Sequence, residues 1–254
     1  MSTGRTDRIR KMIRTILDDG RINGCITGSC MLDTDFDYWE TTPDIDVFAY
    51  SPNYMIQAIE ILVNSLGCKF GEHDTELSSK QEKTKYKWLL ESKKNNGYDS
   101  TLQTIKLHDS DGVIVNVSSR KGCRNVAQVV ENFDMTIIMK GVDIRNGYTY
   151  DATKMFSGDD RLAMPNPLKI QVEDVSMWDV ARWVRQNDRV LKYWNRGYDT
   201  RPVAKYYIEL INGVLAEGKL WTSENYEKMF DEFSSEFIEI RDRMANWLKE
   251  VENA

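Results

Sequence analysis

Asp44 and Asp46 stand two residues apart in Asp44-Ile-Asp-Val-Phe-Ala-Tyr50, a stretch whose β-branched and aromatic content reads as a strand. A strand alternates its side chains, so the pair projects from one face, roughly 7 Å apart along the chain. Two like charges on a half-buried strand repel unless cations sit between them. Magnesium suits the place, since it takes one or two protein carboxylates and completes its octahedron with waters and phosphate oxygens. The same Asp-x-Asp spacing recurs at Asp33-Thr-Asp35, Asp35-Phe-Asp37 and Asp109-Ser-Asp111. The first two fall in a polar loop and the last in a predicted hairpin turn, where Asp is favoured for turn geometry. Upstream of Asp44, after an apolar run at 22–27, stands Gly28-Ser29. Glycine lets backbone N–H groups approach a phosphate, and the serine hydroxyl adds a donor. A phosphate cradle with a metal-binding carboxylate pair is the minimum equipment for phosphoryl or nucleotidyl transfer.

These residues need elements to position them. Ile9, Met12, Ile13, Ile16 and Leu17 recur at helical spacing over 6–19, with Gly20 as a stop signal. A second helix is predicted over Asn53–Leu66, closed by Gly67. The lysine-dense segment 80–96, which contains Tyr86 and Trp88, reads as a surface insertion or loop, either simply solvated or facing a polyanion. Alternation through Leu102, Thr104 and Lys106, and again through Val113, Val115 and Val117, predicts a hairpin turning at Asp109–Gly112. A short helix near Asn125–Asn132, a strand over Asp134–Met139 and an Asn146-Gly147 turn into Tyr148–Tyr150 follow. From Val172 the period is helical, over 173–197, 202–216 and 223–250. The expected architecture is α+β: a mixed sheet of about five strands with helices on one face, then a C-terminal helical bundle. The boundary is placed by Pro165 and Pro167, giving domains 1–165 and 166–254.

The 254 residues carry 34 Lys+Arg against 40 Asp+Glu, a net charge of −6, so a nucleic-acid partner has to meet a local patch. Cys25, Cys30, Cys68 and Cys123 form no C-x-x-C pair, and His73 and His108 lie far from them, which speaks against structural zinc. Cys25 and Cys30 flank the phosphate loop and would react only if exposed. No Walker loop and no Gly-x-Gly-x-x-Gly occurs. The opening Met-Ser-Thr-Gly-Arg has no apolar leader and no run is long enough to span a membrane, so the chain reads as soluble, reduced and cytoplasmic. In the helix after the boundary, Arg182, Arg185, Arg189, Lys192 and Arg196 recur at three and four as one basic stripe. It suits a triphosphate tail, a nucleic-acid backbone or an acidic protein surface, or else a solvated face with pairs such as Asp179 with Arg182.

Gly28-Ser29, the intervening loop and Pro43-Asp-Ile-Asp-Val-Phe48 resemble the signature of the DNA polymerase beta-like nucleotidyltransferase superfamily. Glu131-Asn-Phe-Asp-Met-Thr-Ile137 and Val190-Leu-Lys-Tyr-Trp-Asn-Arg-Gly-Tyr198 are similar to later motifs of predicted nucleotidyltransferases of bacteriophages and large viruses, whose setting would be the host cytoplasm. The resemblance implies an enzyme that moves NMP from an NTP such as ATP to an acceptor hydroxyl and releases pyrophosphate. Mg2+ or Mn2+ would be held by Asp44, Asp46 and a third carboxylate. The strand Val113-Ile-Val-Asn-Val117 carries Asn116 where that third acid often lies, so Asp134 becomes the candidate, against a plain helix-capping or turn role. Gly28 and Ser29 would hold the β/γ phosphates, and Arg185, Arg189, Lys192 or Arg196 would contact the triphosphate or acceptor. The acceptor is an RNA 3′ end, tRNA-like and modestly favoured by the lysines, or a protein or small-molecule hydroxyl. The rival, carried by Asn116, is a decayed transferase that binds nucleotide or a host factor as a regulator.

Overall fold

The structure is a computed structural model that describes residues 4–72, 75–94, 104–119, 122–156, 158–167, 187–216 and 224–253. The chain divides into two compact units, one of 1–133 with 138–152, the other of 134–137 with 153–254. The division thus falls at 152/153, ahead of the prolines that mark the boundary in the sequence, and 134–137 goes with the second unit.

The first unit is built on a seven-stranded mixed sheet in the order β3-β4-β5-β2-β1-β6-β7. Its strands are β1 (Gly24–Thr27), β2 (Ile45–Ala49), β3 (Lys69–Phe70), β4 (Ile105–His108), β5 (Ile114–Ser119), β6 (Lys140–Asp143) and β7 (Thr149–Asp151). Only β2 with β5 is parallel; the other neighbours run antiparallel. Ile45, Val47 and Ala49 of β2 are fully buried, as are Ile105, Leu107, Val115 and Val117 on the neighbouring strands. Helix α2 (Pro52–Asn64) covers this apolar face with Met55, Ile56, Ile59 and Leu62. It starts where the Ser51 hydroxyl accepts from the Tyr54 N–H at 3.2 Å, with Pro52 preset for the first turn.

Local chemistry sets the other turns. The Asp109 carboxylate accepts from the N–H groups of Asp111 and Val113, both at 2.8 Å, and so fixes the β4–β5 hairpin. Asp143 does the same for the β6–β7 turn, where Gly147 supplies φ +68°. Helix α1 (Arg5–Asp19) buries Ile9, Met12, Ile13 and Ile16 as its periodicity predicts.

Three expectations are corrected here. The lysine-dense segment is a helix, α3 (Glu76–Lys94), not a loop. Its inner side carries Glu82 and Leu89, with Tyr86 against Phe70 at 5.4 Å between ring centroids. Asp134–Met139 is not a strand but passes through a 3-10 turn at Thr136–Ile138. Asp134 to Met139 are all buried, so the segment lacks the one-sided alternation a half-buried strand shows. Helices are not confined to one face: α4 (Val126–Val130), capped by the Asn125 side chain on the Gln128 N–H at 2.9 Å, sets Val126 against Gly141 on the face that Gly141 shares with Thr27.

The second unit holds α5 (Thr153–Phe156), α6 (Asp188–Trp194), α7 (Arg201–Ala216) and α8 (Glu224–Glu252). Helix α8 packs on α7 and buries Phe237, Ile240, Met244 and Leu248 at spacings of three and four. Trp194 meets Trp247 edge-on at 5.3 Å. The expected helix 173–197 lies outside the described residues up to 186 and ends at Trp194. Among the described residues no helix is long and apolar enough to cross a membrane.

The buried Glu82 carboxylate mounts α3 on the sheet: it accepts from the Lys106 backbone N–H at 3.0 Å and from the Lys85 ammonium at 2.7 Å. Glu82→Ala leaves that amide without its acceptor. A loss of about 2 kcal/mol is expected in urea denaturation. An unchanged urea midpoint would show that the bond contributes nothing.

Candidate active site

Asp46 is paired across the sheet with Thr27 of β1 on one side and Asn116 of β5 on the other. Asn116 in turn lies opposite Lys106 of β4. Residues directly opposite each other share a face, so Thr27, Asp46, Asn116 and Lys106 form a row across four strands. Asp44, two residues before Asp46, joins that face.

The Asn116 side-chain amide ties the pair together. Its Nδ2 donates to Asp44 Oδ2 at 3.0 Å and to Asp46 Oδ1 at 3.2 Å. Both oxygens touch one nitrogen, so they lie within about 6 Å, where two unit charges repel by about 3 kcal/mol at an effective dielectric near 20. Two hydrogen bonds to charged acceptors, at about 1.5–3 kcal/mol each, are of the size needed to offset this. Asp44, Asp46 and Asn116 are all half-buried, so the arrangement is reachable from solvent.

The other Asp46 oxygen, Oδ2, lies directly over Gly28, where a Cβ would collide with it. Gly28 also has φ +82° and opens a single 3-10 turn over Gly28–Met31. The backbone of the expected phosphate loop therefore reaches the carboxylate because residue 28 has no side chain. Ser29 is buried in the same turn. Arg10 of α1 lies close by, its guanidinium donating to the Leu32 carbonyl at 3.2 Å and stacked over Phe36.

Lys106 is a cation that sequence reasoning passed over. Its ammonium pairs with Glu72 at 2.6 Å, and that bond, with the nearby charges of Asp44 and Glu82, outweighs burial and raises its pKa. The signal was partial: a hairpin turning at 109–112 brings residue 106 near 116, and the one-residue-longer loop 109–113 sets them directly opposite.

Asp134, the expected third metal ligand, is engaged within the second unit. Its Oδ1 accepts from Arg189 at 2.8 Å and its Oδ2 from the Tyr207 hydroxyl at 3.2 Å. Burial disfavours the charged guanidinium, but Asp134 and the two tyrosines Tyr193 and Tyr207 outweigh that and raise the Arg189 pKa. Burial, then the charge of Asp134, pushes the Tyr207 phenol well up. The basic stripe is divided accordingly: Arg189 turns to Asp134, Lys192 is exposed, and Arg196 lies beyond the end of α6 with its guanidinium over the Tyr193 ring. Arg182 and Arg185 lie outside the described residues.

Among the described residues no group of three His, Cys, Asp or Glu side chains gathers to hold a metal. The donor set is two carboxylates and an amide. It fits a hard divalent cation that keeps several waters, as magnesium does. Cys25 and Cys30 are fully buried, and burial above all pushes both thiols up, so neither is a reactive nucleophile. His108 is buried with Nδ1 on the Gly71 carbonyl at 2.9 Å, and His73 lies outside the described residues.

Two substitutions test these assignments. Gly28→Ala should displace the Asp46 side chain and lower the melting temperature, whereas an unchanged melting temperature would remove the close approach. Asp134→Asn, measured without metal, should cost about 3 kcal/mol because it strands the Arg189 charge; no change in urea denaturation would reopen Asp134 as a cation ligand.

Comparison with protein-family models and with curated proteins finds no match. Among solved structures the chain is similar to the Thermotoga maritima CCA-adding enzyme complexed with tRNA, at 13% sequence identity and a TM-score of 0.42. The likeness covers 70% of this chain, which spans 37% of that one.

Proposed function

We propose that the protein is a metal-dependent nucleotidyltransferase of the polymerase beta-like kind. The observation that carries the reading is the junction of Asp46 on β2 and Asp44 just before it, bridged by Asn116, with the Gly28 turn directly against Asp46. Asp44 and Asp46 would hold Mg2+ or Mn2+, which when bound neutralises phosphate charge and draws electron density from the phosphorus. The Gly28 backbone lets the phosphates of an NTP such as ATP approach without a side chain in the way, and Ser29 offers them a hydroxyl donor. An acceptor hydroxyl gives up its proton to solvent and attacks the α-phosphorus: the O–H bond breaks and the new O–P bond forms, the bond to the β-phosphate oxygen breaks, and pyrophosphate leaves. Lys106 adds a positive charge on the same face. Asp134 is left in this reading to its ion pair with Arg189.

For the acceptor, α3 favours RNA. Lys80, Lys83 and Lys87 are exposed on its outer side, and Trp88 is 44% exposed. Cations that follow a phosphate backbone, with an aromatic ring for stacking, are the means by which single strands are held. The helix is fixed through Glu82 to the strand that carries Lys106.

A second reading has its own observation. Asn116, not a carboxylate, completes the cluster, and a neutral amide gives a divalent ion less charge than a third acid would. The chain would then bind nucleotide or a host factor as a regulator, without transfer.

One assay separates them. α-Labelled ATP, CTP, GTP and UTP are offered with Mg2+ or Mn2+, once with total tRNA and once with cell protein, to wild type and to Asp46→Asn. Label moving only with wild type, and onto RNA, is the expected result. Metal-dependent nucleotide binding without transfer would select the regulator. In the triple variant Lys80→Glu, Lys83→Glu and Lys87→Glu, RNA binding should weaken and its log–log salt slope should flatten by about 2; an unaltered slope would remove α3 from the acceptor site.

A further inference from the structure

The Asn116 amide occupies the position between two carboxylates that a cation would take, and the residue beside Asp46 on the other side points to the same cation. Thr27 is fully buried, and its Oγ1 has no hydrogen-bond partner. Its methyl packs beside Gly141 of β6, on the far side from Asp46. A buried hydroxyl without a partner is costly, and proteins keep one where something outside the polypeptide completes it. Thr27 and Asn116 flank Asp46 in one row of the sheet.

We infer that Asn116 and Thr27 complete the cation site begun by Asp44 and Asp46, with Asn116 standing in for the cation while the site is empty. The inference rests on the reading of Asp44 and Asp46 as cation ligands. Without the ion, the amide N–H2 relieves the repulsion of the two carboxylates. When a divalent ion enters, that role passes to it. The amide turns end for end about its last side-chain bond, so that Oδ1 rather than Nδ2 faces the centre. The Thr27 hydroxyl, closed off while the site is empty, would gain an oxygen partner only as the ion and its shell open a place beside Asp46. Magnesium and manganese both keep such waters, and both prefer oxygen donors. The amide thus sets a threshold: the protein is stable without metal, and it binds metal less tightly than a three-acid site would.

The experiment uses Mn2+ alone, titrated into the intact chain and followed by the electron paramagnetic resonance of the free ion, with melting temperatures recorded with and without Mg2+. Asn116→Asp should bind Mn2+ at least tenfold more tightly than wild type. Its metal-free melting temperature should fall and be restored by Mg2+. Thr27→Val, which removes only an unpartnered hydroxyl, should keep or raise the metal-free melting temperature while weakening Mn2+ binding several-fold. In wild type, the Asn116 side-chain N–H2 signals in a 15N-resolved spectrum, assigned by their loss in Asn116→Asp, should shift on adding Mg2+; this reading holds even if the aspartate variant fails to fold. Equal Mn2+ affinity across the three proteins, or N–H2 signals that ignore saturating Mg2+, would overturn the inference while leaving the transferase reading in place. Conversely, Mn2+ binding by Asn116→Asp but not by wild type would overturn the inference and remove metal-dependent transfer from the wild type as well.

Discussion

Like charge on one face of a strand is the constraint around which the first unit is arranged. Asp44 and Asp46 crowd two carboxylates onto one half-buried face, which is costly without something positive or donating between them. The parallel pairing of β2 with β5 meets that need by setting Asn116 in register with Asp46. Among the described residues it is the only parallel pairing in the sheet, and the antiparallel neighbours on either side carry the rest of the row, Thr27 and Lys106. The opposite face of the same strands holds Ile45, Val47, Val115 and Val117 under α2, so a slip of one residue would put aspartates in the core and valines on the polar face. Apolar burial thereby fixes the register that the polar side requires.

The second unit solves a similar problem differently. Asp134 is buried, and it is balanced by a full positive charge from Arg189 and by a phenol hydroxyl. A carboxylate satisfied by a permanent guanidinium is a structural tie. One satisfied by a neutral amide still has use for a cation. Asp134 is held by a full positive charge, whereas Asp46 takes a hydrogen bond from a neutral amide.

What the sequence disclosed follows from the range of each interaction. The i, i+2 geometry of Asp44 and Asp46, the Gly28-Ser29 loop and the turns at Asp109–Gly112 and Asn146-Gly147 are local, and all were legible. Asn116 was noticed by position, but its bridge to both aspartates depends on pairing with a strand some 70 residues earlier. Helix α3 was hidden because its lysines mask a narrow inner face, and the group that Glu82 serves is a backbone amide of β4 that no pattern announces. Arg189 fitted a surface stripe by spacing. It turns inward because a carboxylate 55 residues away is waiting for it. The segment after Phe133 misled for the opposite reason: its apolar residues are buried all round, and continuous burial has no period.

The chain between Asp46 and Asn116 contains α2, β3, α3 and β4. Closing so long a loop pays its entropy before any contact repays it, and parallel strands are slow to find each other. The aspartates are therefore synthesised and exposed well before the amide that reconciles them is in place. An early, incomplete β2 is an anionic hairpin partner for β1 alone, with its repulsion unrelieved. The junction of Asp44, Asp46 and Asn116 thus depends on a long-range pairing, and a chain that has folded only its local elements carries the aspartates without the amide.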